Sequence, residues 1–108
     1  MNGPNKATEP DTNQISWNGY SCVWLAQGGR YAVTFTPFLP RDDETVVAAL
    51  KFLAQRVLLT DVSKATASLE KRDGVNVIVL RGNSVVFASL RKESSGEVHS
   101  AMFWEEKY

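Results

Sequence analysis

The sequence is poor in the residues that carry chemistry, with one cysteine, Cys22, and one histidine, His99. A lone cysteine cannot close an intrachain disulfide, and this pair cannot supply the four ligands of a Cys/His structural zinc site. Neither charge sign is in excess, since 12 Lys plus Arg stand against 12 Asp plus Glu. No apolar run approaches the ~18 to 20 residues that a membrane helix requires. What is present is 44% apolar residues in a chain of 108, too many for a disordered chain and enough for one small globular domain.

Residues 1–14, MNGPNKATEPDTNQ, contain two prolines and almost no aliphatic side chain, and read as a disordered lead to a single domain over residues 15–108. The lead has neither the basic start and apolar run of a secretory signal nor the Arg-rich, acid-poor composition of a presequence. No N-x-Ser/Thr sequon occurs, and a reducing, cytoplasmic setting is expected.

The run ISWNGYSCVWL and the run RYAVTFTPF flank Gln27-Gly28-Gly29, which is a hairpin pattern. Tyr31, Val33 and Phe35 alternate with small residues on one face, Asn18-Gly19 suggests a bulge or late start in the first strand, and Pro37 is expected to end the second. Pro40-Arg41-Asp42-Asp43-Glu44 opens a helix, with Asp42 or Asp43 as cap and acids in its first turn. The helix is expected from about Asp43 to about Leu59. Its core stripe takes Val46, Val47, Leu50, Leu53, Ala54, Val57 and Leu58, while Ala48, Phe52 and Leu59 form a second, outward strip flanked by Gln55 and Arg56.

Beyond Thr60-Asp61-Val62-Ser63, four runs, KATASLEK, VNVIVL, SVVFASLRK and EVHSAMFWE, are separated by Asp73-Gly74, Arg81-Gly82-Asn83 and Ser94-Ser95-Gly96. That is the pattern of a β-meander, with Asp73-Gly74 suited to a type I′ turn. VNVIVL and SVVFASL are apolar on both sides and so read as central strands covered on both faces. The fold class expected is α+β, an antiparallel sheet of five to six strands in the order ββαββββ with one long helix packed on one face. This order resembles that of roadblock, longin and profilin-like modules at the level of elements alone, and the lead and the ending EVHSAMFWEEKY stand where many of those modules have helices.

For nucleophilic catalysis the sequence offers Cys22, or a strand serine, with His99, and packing explains these residues more simply. Acids cluster at the helix start, turns and tail, where capping and solvation account for them. Gln27-Gly28-Gly29-Arg30 lies between strands and lacks the helix N-terminus of a phosphate loop. No catalytic site, cofactor or metal is expected. Residues 51–92 hold eight Lys or Arg against three acids, whereas 93–108 hold one Lys against four Glu. Basic residues Arg72, Arg81, Arg91 and Lys92, with Trp17, Tyr20, Trp24, Phe87, Phe103 or Trp104 as stacking rings, make a small single-stranded nucleic-acid or RNA-binding module the alternative reading. The plainer expectation is that the acidic last strand neutralises the basic strand beside it.

One helix cannot cover both faces of such a sheet, so the two-sided apolar strands and the spare helix strip point to a covering partner, a second copy or another protein. A curl of the sheet round its own second face is the competing explanation. The function expected is a non-catalytic protein-protein interaction module, an adaptor, assembly subunit or inhibitor of the anti-defence type. Phe52, Leu59, Ala48, Arg56 and Trp104 are its candidate interface residues, with a homodimer or heteromeric complex as the state.

Overall fold

The computed structural model describes residues 13–106. Its elements are β1 (Asn13–Trp17), β2 (Tyr20–Gln27), β3 (Arg30–Leu39), α1 (Asp43–Leu53), β4 (Thr66–Arg72), β5 (Val75–Arg81), β6 (Val85–Lys92) and β7 (Val98–Glu106). All pair antiparallel in one seven-stranded sheet of order β1-β2-β3-β7-β6-β5-β4. The chain leaves the middle of the sheet after β3, crosses one face through α1, and returns from the far edge by the meander.

The class is α+β as expected, but seven strands replace five to six. Asn18 (φ 47°) and Gly19 (φ 86°) form a two-residue turn rather than a bulge, so ISWNGYSCVWL becomes two strands with Trp17 paired to Tyr20. β1 also takes in Asn13 and Gln14, which the sequence reading gave to the lead; the rest of that lead lies outside the described residues. Asp73 (φ 53°) and Gly74 (φ 80°) both sit at positive φ, the type I′ geometry that the Asp-Gly pair suggests. Pro37 does not end β3. The strand runs on to Leu39, and its missing N–H coincides with a break in the β3–β7 ladder between Thr34 and Leu39.

Asp42 caps α1, its carboxylate accepting from the Glu44 N–H at 3.1 Å and from the Thr45 hydroxyl at 2.7 Å. Regular α-helix stops at Leu53, earlier than the sequence suggests, and continues as a π-helical turn over Ala54–Leu58 that closes on Leu59 in the left-handed region at φ 57°. The change of pitch and the left-handed residue remove Leu59 from the phase of Ala48 and Phe52, so the expected outward strip does not form.

The main core fills the space between α1 and the sheet. Val46, Ala49, Leu50, Leu53 and Ala54 meet Val33 and Phe35 of β3, Leu80 of β5, Val86 of β6 and Phe103 of β7. Val77, Val79, Val85 and Phe87 form a second cluster on the face without a helix, with Trp104 against it. Both central strands are thus buried on both sides, as the sequence implies.

Curvature, not a partner, buries that second cluster. Arg72 pairs with Val75 at one end of β5, whereas Glu106 is reached through Val85 and Arg81 at the other end. In a flat sheet these positions would be roughly 24 Å apart, from six residues at about 3.3 Å along and three strand spacings of about 4.8 Å across. Yet the Arg72 guanidinium comes within 3.9 Å of the Glu106 carboxylate. The sheet therefore curls along this diagonal, as a right-handed twist makes a saddle do. On the other side, the β1–β2 corner bends toward the helix, and Trp17 reaches Phe52 with ring centroids 6.2 Å apart.

Candidate functional site

At its far edge the sheet outgrows its helix. Seven strands span roughly 29 Å across, while an 11-residue helix is about 16 Å long and about 10 Å wide. The segment leading to β4 is tied down first. The Asp61 carboxylate accepts from the Ser63 N–H at 3.1 Å and from its hydroxyl at 2.8 Å, the Ala65 N–H donates to the Val62 carbonyl at 3.0 Å, and Val62 and Ala65 are buried. The Ser63 backbone and hydroxyl bonds hold the Asp61 carboxyl below the usual range. β4 then runs as an edge strand paired only to β5.

Alternation along β4 sends Ser68, Glu70 and Arg72 to the face without a helix and Ala67, Leu69 and Lys71 to the helix side. On the former, the Glu70 carboxylate accepts from both terminal nitrogens of Arg81, the Nη2 contact being 3.1 Å, and from Ser68 at 2.9 Å. The Arg81 guanidinium first, and the Ser68 hydroxyl second, hold the Glu70 carboxyl below its ordinary value. On the helix side, Val47, Ala67, Leu69, Ile78 and Leu90 line an open groove of about 320 Å³, with Asp43 and Lys92 among its polar lining. Leu69 is 72% exposed there, unlike the buried apolar side chains of β5 and β6. Among the described residues no hydrogen bond from outside the sheet is made to the backbone of β4. The site thus combines unpaired strand-edge amides and carbonyls with an apolar groove directly behind them.

The five interface candidates do not share one patch. Ala48 and Arg56 are exposed on the helix, and Phe52 is half-buried against Trp17 with the Arg56 guanidinium 5.5 Å from its ring. Leu59 is 84% exposed and stands alone on its left-handed cap. Trp104 lies on the opposite side of the sheet, stacked on Phe87 at 5.6 Å with Arg30 4.1 Å above its ring. The basic candidates divide similarly. Arg72 covers Phe87 at 4.4 Å and reaches Glu106, Arg81 holds Glu70, Arg91 is exposed in β6, and Lys92 lines the groove on the helix side.

The expected neutralisation of β6 by β7 fails on register. Antiparallel pairing sets Glu105 and Glu106 opposite Val86 and Val85, at the far end from Arg91 and Lys92. Of the rings weighed for stacking on bases, Phe87 and Phe103 are buried, the latter against Tyr31, and Trp17 stacks on Tyr20. Trp24 is half-buried against the main core. Cys22 is fully enclosed, and burial pushes its thiol up. His99 packs edge-on against Phe38 at 5.0 Å and contacts the Ser100 hydroxyl, so neither member of the nucleophile pair is set up by the other. Among the described residues no three His, Cys, Asp or Glu side chains gather as a metal site would need, and no helix is long and apolar enough to cross a membrane.

Leu69, Ile78, Leu90, Val47 and Arg30 are not among the site residues that the sequence suggests, Val47 reading there as core and Arg30 as part of a turn. The available signal was that KATASLEK is the least apolar run of the meander and has one large apolar residue, which is the composition of an edge strand. No family model matches the chain, and no curated protein and no solved structure is found to be similar to it.

Proposed function

We propose that this chain is a non-catalytic protein-binding module whose recognition surface is the outer edge of β4 with the groove behind it. The observation that carries this reading is Leu69, a large aliphatic side chain left 72% exposed on an edge strand that has a neighbouring strand on one side only. An extended segment can add to such an edge through main-chain hydrogen bonds, while its alternate side chains enter the groove for selectivity. The buried, unpaired Cys22 suits a reducing, cytoplasm-like compartment.

A second reading, a single-stranded nucleic-acid surface, is favoured by one observation: Arg30, Arg72, Arg81 and Arg91 all belong to the face without a helix. Two of them are already committed to Glu106 and Glu70, which leaves little free positive charge for phosphates.

Both readings meet in one experiment. Isotope-labelled protein is titrated with extended peptides selected from a random library, and separately with single-stranded RNA at two salt concentrations. Peptides that shift β4 amide resonances and lose binding to Leu69→Asp support the module. Peptide binding that maps elsewhere, or none, overturns it, and salt-sensitive RNA binding lost in Arg30→Ser and Arg91→Ser would install the second reading.

A further inference from the structure

We propose that the occupant of the β4 edge is a second copy of this chain, paired antiparallel about Leu69 so that two sheets join into one of fourteen strands. The proposal rests on β4 being the binding surface and adds the identity and register of the partner. A two-fold axis that pairs a strand with its own copy in one sheet stands perpendicular to that sheet, so each residue faces one from the same side. The symmetric registers are then centred on single residues of TASLEKR, and sequence chemistry separates them.

Centring on Lys71 sets lysine against lysine, and centring on Glu70 sets glutamate against glutamate, both destabilising directly across a ladder. Centring on Ser68 leaves Lys71 and Arg72 beyond the paired segment and sets Leu69 against Ala67. Centring on Leu69, the midpoint of Thr66–Arg72, pairs the whole strand. Every charged residue then faces an uncharged one, with Arg72 on Thr66, Lys71 on Ala67 and Glu70 on Ser68. The most exposed aliphatic side chain of the sheet falls on the axis, where the two leucines close over each other between the two grooves. The charged half of β4 that discourages indiscriminate edge pairing is thereby matched to its own neutral half. A single strand pair is at the small end of specific interfaces, so the dimer is concentration-dependent.

The test uses the full chain. Sedimentation equilibrium from about 10 µM to about 1 mM should show a dimer that Leu69→Asp abolishes with an unchanged circular dichroism spectrum. Leu69→Cys should form an intermolecular disulfide under mild oxidation at least about tenfold faster than Ala67→Cys. Opposed Cα atoms lie about 4.5 to 5.5 Å apart, within disulfide reach, whereas position 67 and its counterpart are about 14 Å apart in this register. Ala67→Cys mixed with Lys71→Cys should cross-link across copies. A wild-type chain monomeric throughout, or equal linking at positions 67 and 69, overturns the proposal. If that monomer still binds extended peptides at β4, the self-pairing fails while the binding-module reading stands; if it binds none, both fail.

Discussion

The β1–β2 corner should be a structural clamp on the helix, and Phe52 is where that can be measured. Full burial of a phenylalanine is worth up to about 3 kcal/mol, so a half-buried ring contributes about half of that, and a favourable ring pair adds about 1 kcal/mol. Phe52→Ala should therefore destabilise the monomer by about 2 kcal/mol, lowering Tm by about 8 to 16 °C for a domain of this size. Trp17 and Phe52 have ring centroids 6.2 Å apart, so a double-mutant cycle with Trp17→Ala in urea unfolding should return a coupling of about 0.5 to 1.5 kcal/mol. The same cycle run with Asp42→Ala, at the other end of α1, should be additive within about 0.5 kcal/mol. If Phe52→Ala left stability unchanged while altering self-association, the ring would be a docking anchor and the saddle geometry assigned to this corner would be wrong.

Three further outcomes follow from local geometry. A Cβ at Gly74 meets nothing within 4 Å, so only its φ of 80° penalises substitution; Gly74→Val should cost on the order of 1 to 2 kcal/mol in denaturant melts and Gly74→Asn clearly less, and equal melts would mean another turn type. Leu59 holds a left-handed conformation while 84% exposed, so Leu59→Gly should raise stability by about 1 kcal/mol, and a loss would show that the side chain packs somewhere. Glu70 titrates below its ordinary value of 4.5 because Arg81 and Ser68 bond its ionised form. Its contribution is therefore fully present above that value and is lost as pH falls through the lowered one. Arg81→Ala should move the Glu70 carboxyl resonance titration upward and flatten the acid limb of the Tm profile, and an unmoved titration would break the assignment.

How much of this was legible in the sequence varies with the range of the interactions. Asp42 as a cap, Asp73-Gly74 as a two-residue turn and the two-sided burial of β5 and β6 depend on neighbours within a few residues, and the sequence carries them openly. Asn18-Gly19 carries the same turn signal as Asp73-Gly74, and treating it as a fault in one strand hid β1. The end of α1 was not legible in the same way. QRVLL continues an α-periodic apolar pattern without glycine or proline, and only the packing of Ala54 and the left-handed Leu59 show where the pitch changes. Ala48, Phe52 and Leu59 share a strip only on a continuous α-helix, so the change of pitch detaches Leu59, while Arg56 stays beside Phe52 and Trp104 lies across the sheet in β7.

The apolar second face of β5 and β6 looked from sequence like a surface waiting for a partner, and geometry reverses that inference. Val79 is fully buried with no helix above it. The Arg72 guanidinium lies over the Phe87 ring beside it, and the Arg30 guanidinium over Trp104, each cation covering an aromatic face. The curl that brings Arg72 to Glu106 supplies the rest. Apolarity on both faces of a strand in a strongly twisted sheet is thus weak evidence for association, because the saddle can turn each face inward along one diagonal. The edge of a sheet has no such recourse: curvature does not pair the outward N–H and C=O groups of β4, and the helix borders the groove at Val47 without covering Leu69. A binding surface in a fold of this kind is to be sought where the sheet ends, on the strand whose composition looks least like a core.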